Sequence, residues 1–261
     1  MSYREIVPQA ALSAVVDRFW LRSREQGRSG ASGVLPPRYV LPDGCIDLLI
    51  GLDTRTVQVV GTMTSALALR GPAPALAAVR FRPGAAAAVL GVSARELTDR
   101  RVPLEEVGAG WCSPGVLEAE SPLEVVRGLE ASLLRRLSLL PARAAAARVA
   151  HVVRACFGPR PPTVAALARE VGWSRQRLTR VLVDEVGLGA KELLRVGRLQ
   201  RAVAELQRWP GVSLAETALG LGYFDQAHMC RDFRELVGVS PKLVRGSPLT
   251  IFPIRSLLSG S

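Results

Sequence analysis

Gln226, Ala227, His228 and Arg231 lie within the run from Gly222 to Pro241 and could meet a base edge or a phosphate. Met229, Phe233, Leu236 and Val237 recur there at helical spacing, so the run predicts a helix with these four on its apolar stripe and the polar group opposite. Asp225 is a capping residue that can accept bonds from the first free amides of that helix. A rod of this kind fits a DNA major groove, where arginine bonds guanine O6 and N7, glutamine pairs the adenine edge, and alanine can only touch a thymine methyl.

An earlier segment repeats the pattern. Leu167 to Leu182, followed by Gly187, matches Thr217 to Phe233, followed by Gly238. The turn glycines Gly172 and Gly222 are 50 residues apart and Leu178 and Met229 are 51 apart, so the second turn holds one extra residue. Such self-similarity predicts one supersecondary unit used twice, here two helix-turn-helix units. In the first unit the exposed positions are expected to be Arg175, Gln176, Arg177, Thr179 and Arg180, on a helix that Ser174 caps.

The elements that must hold these residues read as follows. Arg143 to Phe157 predicts a helix with Val149, Val152, Val153 and Cys156 inward, and Gly158 to Pro162 a linker. Val164 to Val171 and a helix capped by Ser213-Leu-Ala-Glu216 support the two readers, and Ala190 to Trp209 connects them before Pro210-Gly211 stops it. Ser240-Pro241 starts a last short helix to Arg245. The connector extends about 30 Å, close to the ~34 Å repeat of B-DNA.

The first part of the chain has a different grammar. Pro8 to Trp20 predicts an amphipathic helix with Leu12, Val15, Val16 and Phe19 buried. Arg22 to Gly33 reads as an exposed loop. Val34 to Leu41, Cys45 to Leu52, Val57 to Gly61, Ala66 to Leu69 and Leu76 to Phe81 read as strands, and Gly84 to Leu90 and Ser93 to Arg100 as short helices. A capping box at Ser121-Pro-Leu-Glu124 opens a helix to about Leu140. Its stripe of Val125, Leu129, Leu133 and Leu137 either pairs two copies of the chain through residues 121–140 or packs on its own sheet.

The fold class expected is therefore α+β. A small β-rich domain with flanking helices spans 1–140, an all-α domain of two helix-turn-helix units joined by a long helix spans 141–246, and a tail spans 247–261. Two charged motifs mark the β-rich part, Pro42-Asp43-Gly44-Cys45-Ile46-Asp47 and Val79-Arg80-Phe81-Arg82-Pro83-Gly84. Asp43 or Asp47 pairs with an arginine to fix the strands, or Arg80 and Arg82 face a pocket for an acidic effector; a redox role for Cys45 is a lesser reading.

The net charge of +11 is unevenly shared, with 18 basic and 9 acidic residues from Pro141 onward against 16 and 14 before it. The positive excess lies with the reading units, as a polyanionic partner requires. Cys45, Cys112, Cys156 and Cys230 form no paired motif and His151 and His228 are the only histidines, so no metal, cofactor or disulfide framework is expected. The first residues lack a signal-peptide pattern and no apolar run is long enough to span a bilayer, so the expected compartment is the cytoplasm, without membrane contact.

The run Asp225 to Arg245 resembles the second helix-turn-helix of the AraC/XylS family of bacterial transcription regulators, and Thr163 to Leu206 resembles the first. The PDG and RFRPG elements resemble the N-terminal domain of one subgroup of such regulators. The resemblance implies a non-enzymatic regulator that binds double-stranded DNA and acts with RNA polymerase, its N-terminal domain sensing a small molecule or mediating self-association. It carries base-reading roles onto Gln176, Thr179 and Arg180 and onto Gln226, Ala227 and Arg231. Ser174, Arg175, His228, Lys242 and Arg245 are then candidates for phosphate contact, and Asp43, Cys45, Asp47, Arg80 and Arg82 for an effector. The competing readings are a DNA-associated enzyme, which lacks metal clusters, a Ser/His/Asp arrangement and phosphate-cradling glycine loops, and an architectural DNA-binding protein.

Overall fold

Short runs rich in valine and leucine, each bounded by turn residues, become the strands of the first half of the chain. The computed structural model describes residues 3–23, 38–69, 74–108, 110, 112, 115–141 and 145–246. The tail 247–261, the loop proper after Ser23 and the first residues of the Val34 to Leu41 run lie outside the described residues. Strands β1 (Tyr3–Ile6), β2 (Val16–Arg22), β4 (Asp47–Gly51), β5 (Thr56–Val60), β7 (Leu76–Phe81) and β8 (Arg101–Pro103) form a six-stranded sheet in the order β1-β2-β7-β4-β5-β8, while β3 (Arg38–Val40) and β6 (Leu67–Leu69) pair as a separate ribbon. Every pairing is antiparallel. All of β7 is buried, because β2 and β4 flank it and helices cover it.

The helix expected over Pro8 to Trp20 is not formed. A 3-10 turn at Ala10–Leu12 leads into β2, whose residues pair with β7 from Val16↔Phe81 to Arg22↔Leu76. Leu12, in the 3-10 turn, and Val16 and Phe19, in β2, are buried as expected, while Val15 is only half-buried. A register shift between Val16 and Arg18 breaks the two-residue alternation, so a bulged strand carries spacing that imitates a helix. Strand β8 had no signal of its own.

Helices α1 (Ala86–Leu90), α2 (Gly115–Glu118) and α3 (Pro122–Ser138) pack on this sheet. The capping box on α3 is complete: Ser121 Oγ accepts the Glu124 amide and Glu124 Oε2 accepts the Ser121 amide, both at 3.3 Å. Val125, Leu129 and Leu133 are buried against the sheet and Leu137 packs at the edge. Of the two readings of this stripe, packing on its own sheet is the one the structure bears out, and pairing of two copies through 121–140 would have to use other residues.

The second half is helical throughout: α4 (Ala146–Phe157), α5 (Val164–Glu170), α6 (Arg175–Val186), α7 (Ala190–Arg208), α8 (Leu214–Gly220), α9 (Gln226–Val237) and α10 (Pro241–Gly246). Helix α7 belongs to two cores. Leu193 and Val196 pack with α4, α5 and α6, whereas Leu199, Val203 and Leu206 pack with α8, α9 and α10. Arg195 ties α7 to α9 by donating to Asp232 Oδ1 at 2.7 Å and to Glu235. The fold is α+β, a β-rich part followed by a helical one. The halves are not independent, because Leu41 is part of the second helical core, with Tyr39 and Ala66 packed against it.

Candidate nucleic-acid interface

Each reading helix begins at a turn, and the two turns share one hydrogen-bond pattern. The Trp173 amide donates to Ala168 O and the Tyr223 amide to Ala218 O, both at 2.9 Å; the Gly172 amide donates to Arg169 O and the Gly222 amide to Leu219 O, both at 3.1 Å. Gly172 and Gly222 take the left-handed conformation, φ +67° and +77°, which a side chain would resist. Trp173 and Tyr223 are buried at matching positions.

After the aromatic the turns differ by one residue. Ser174 caps α6, its Oγ accepting the Arg177 amide at 3.1 Å. In the second turn Phe224 is inserted, and Asp225 caps α9 by accepting the His228 amide at 2.6 Å. Phe224 is 86% exposed. Ser213, by contrast, makes no capping bond to α8, so that expected cap is corrected.

Arg175, Gln176, Arg177, Thr179 and Arg180 are exposed on α6, as are Gln226, Ala227 and Arg231 on α9 and Lys242 on α10. Their opposite faces are filled by Leu178, Leu182 and Val186 in α6 and by Met229, Phe233, Leu236 and Val237 in α9. Thr179 Oγ1 turns back onto Arg175 O at 3.0 Å. The Arg177 guanidinium lies 5.5 Å from the Trp173 ring centre and that of Arg148 5.7 Å, within cation–π range; the α4 residue Arg148 carried no signal in the sequence.

Two candidates for phosphate contact are engaged elsewhere. His228 is half-buried, its Nδ1 accepts the Phe224 amide at 3.3 Å, and its ring meets Tyr223 edge-on at 5.3 Å. It therefore braces the turn rather than standing without a partner. Arg245 Nη2 donates to Val212 O, fastening α10 to the loop before α8.

The candidate effector residues do not form one site. Arg80 donates to both carboxylate oxygens of Asp47 at 3.1 and 3.2 Å and lies 3.4 Å from Asp43. Asp43 Oδ1 also accepts the Cys45 amide at 2.8 Å. Desolvation, only partly offset by the Arg80 charge, pushes the Asp43 carboxyl up to about 6. Cys45 is 4% exposed, and burial with the Asp43 charge raises its thiol well above the usual range. A buried thiol held protonated makes a poor redox switch, and that reading is corrected. Arg82 donates to Ser13 O at 2.6 Å, so it braces the chain before β2. Of the five, Asp47 and Arg80 line a space of about 520 Å³ on the side of the sheet facing the β3/β6 ribbon. Asp43, Cys45 and Arg82 do not reach it.

The Pro42-Asp43-Gly44 turn has a use the sequence did not disclose. Pro42 O accepts Gln200 Nε2 of α7 at 2.7 Å, and a Cβ on Gly44 would lie 3.3 Å from Leu193 Cδ2. The turn is a contact between the β-rich part and the connector helix.

Residues 167–247 match the family model of a helix-turn-helix domain, HTH_18, and residues 4–103 match a domain of unknown function, DUF6597. No curated protein sequence matches the chain significantly. Among solved structures, the C-terminal domain of AraT, a response regulator from Geobacillus stearothermophilus, is similar at 21% identity and TM-score 0.35 over 41% of this chain and 88% of that one. The transcriptional regulator CdpR from Pseudomonas aeruginosa is similar at 20% identity and TM-score 0.34, over 67% of this chain and 46% of its own. ToxT from Vibrio cholerae is similar at 11% identity and TM-score 0.37, over 80% and 89%. At these TM-scores none of the three carries the argument. The weight rests on the domain match and on two identically bonded turns, each opening a helix with a polar, arginine-bearing outer face. With those features residues 167–247 are a helix-turn-helix domain, of the kind through which DNA-binding transcription regulators meet DNA.

Proposed function

We propose that α6 and α9 enter successive major grooves on one face of a duplex, with α7 setting their separation. The observation that carries this reading is the repeated turn, because two equivalent helices present polar first turns and are joined by a single helix of 19 residues. That helix is about 28 Å long, against ~34 Å for one turn of B-DNA. Gln176, Thr179 and Arg180 in one reader, and Gln226, Ala227 and Arg231 in the other, are assigned to bases. Ser174, Arg175 and Lys242 are assigned to phosphates, and Arg177 to the rim beside Trp173.

Residues 1–140 form the regulatory part and 141–246 the reading part, which acts through RNA polymerase at a promoter. Control by a small molecule is favoured over self-association, since the β-rich part contains a cavity and the α3 stripe is spent in the fold. Hydroxyl-radical footprinting of the full chain, on duplexes it selects from a random pool, tests the reading. Two protected patches about one helical turn apart support it. Diffuse protection without a selected sequence points instead to an architectural protein.

A further inference from the structure

Residues 61–66 are a strap with two working sides. Gly61, Met63 and Ser65 line the cavity of about 520 Å³. The strap also bonds outward: Thr62 Oγ1 donates to Val186 O at 2.6 Å, Thr64 binds the carboxylate of Asp99, another lining residue, through its amide and hydroxyl at 2.7 and 2.6 Å, and Ala66, which lines the cavity too, donates its amide to Leu236 O at 2.6 Å.

Val186 and Leu236 lie in the last turns of α6 and α9. Helix C-terminal carbonyls lack partners within the helix, and here the β-rich part supplies them to both readers. Thr98 Oγ1 and Ser93 Oγ add bonds to Gly187 O at 3.0 Å and Asp184 O at 3.3 Å.

The cavity wall defines a ligand class. Trp20, Leu49, Leu67 and Leu76 offer an apolar body. Asp47 and Arg80 neutralise one another in the wall and Asp99 is held by Thr64. Exposed Arg100 and Arg101 also line the cavity, and their bonds go to neutral oxygens, the Glu96 carbonyl and the Gln58 side-chain amide. Among the described residues neither meets a carboxylate. Arg100 is also joined to the strap, because the Gly61 amide donates to Arg100 O at 2.9 Å and the Asp99 amide to Thr62 O at 2.9 Å.

We propose that this cavity takes an apolar organic anion whose acidic group sits at Arg100 and Arg101, and that the 61–66 strap transmits its occupancy to the C-terminal ends of both reading helices. The proposal rests on the regulator reading and adds to it the site, the ligand class and the route. By linkage, a ligand that moves the strap changes DNA affinity and DNA changes ligand affinity by the same factor.

The test uses the full chain with two probe acids, biphenyl-4-carboxylate and decanoate, and the matched alcohols and ammonium ions. Calorimetry is expected to show at least one acid binding tighter than its neutral and cationic counterparts, and the double variant R100Q/R101Q is expected to weaken it at least about ten-fold. On a duplex selected from a random pool, the acid is expected to change affinity, in one direction, by about five-fold or more. Thr62→Val removes a donor while keeping shape; it should leave acid binding intact and cut the effect on DNA to within two-fold. No preference for the acids overturns the ligand class. Acid binding without any change in DNA affinity, or an unaltered change in Thr62→Val, overturns the route. If no duplex is selected at all, the regulator reading fails, and calorimetry alone still decides the cavity.

Discussion

Thr98 Oγ1 lies 2.7 Å from the point where a Cβ on Gly187 would stand. Gly187 closes the first reading helix in the left-handed conformation, φ +86°, as Gly238 closes the second at φ +79°. Around Gly238 nothing comes within 4 Å of such an atom, whereas Gly187 faces Thr98, the Ala94 carbonyl and Thr62. The same local conformation is free at one end of the repeat and locked against the β-rich part at the other.

Gly238→Ala should therefore cost the left-handed penalty alone, about 1–2 kcal/mol of stability. Gly187→Ala should cost about 1–3 kcal/mol more, because the added methyl also separates α6 from the 94–98 turn. Chemical denaturation of both variants measures the difference; equal losses would show that the contact carries no energy.

In the readers, Arg180→Ala and Arg231→Ala are expected to weaken binding to a selected duplex by about 1–3 kcal/mol while barely affecting random DNA. Lys242→Ala is expected to weaken both alike and to lower the salt slope by about 1. Titrations at three salt concentrations separate these outcomes, and an equal loss on both duplexes for Arg231→Ala would take that residue off the base-reading face.

Arg245→Ala should behave differently from Lys242→Ala. Its guanidinium is bonded to Val212 O, so the variant is expected to lose about 1 kcal/mol of stability with the salt slope unchanged. A slope reduced as in Lys242→Ala would return Arg245 to the phosphate contacts.

Asp43 predicts a pH effect whose sign follows from its raised value. The folded carboxyl titrates at about 6, against 3.8 for the ordinary group, so the folded state binds the proton more tightly than the unfolded chain. Its contribution to stability therefore falls as pH rises from about 4 to above 6. An asparagine side chain cannot titrate, so relative to the Asp43→Asn variant the native chain should lose on the order of 2 kcal/mol between pH 4.5 and 7.5. Denaturation at pH 4.5 and 7.5 measures this, and parallel pH profiles for the two proteins would contradict it.

The helical half was legible because its signals are local. Gly172 and Gly222, the caps Ser174 and Asp225, and the stripes through Leu178 and Met229 each act within a turn or two of helix, and their repetition fixed the unit before any contact was known. The first half was legible only where alternation was regular. Residues 47–51 and 76–81 read as strands, while the bulge after Val16 disguised β2 and three residues were too few to announce β8.

Roles that depend on a distant partner were hidden. The composition of Pro42-Asp43-Gly44 marks a turn but not Gln200 as the donor to its carbonyl, and Arg245 looks like any exposed cation until Val212 is placed beside it. The sequence alone determined the two reading units and the residues on their outer faces, since helix periodicity and capping are set by neighbours in the chain. Only the tertiary structure decided that the 61–66 strap and the 93–98 turn meet the ends of those units. Bonds between residues more than a hundred positions apart, such as Thr62 to Val186, follow from packing, which no local pattern encodes.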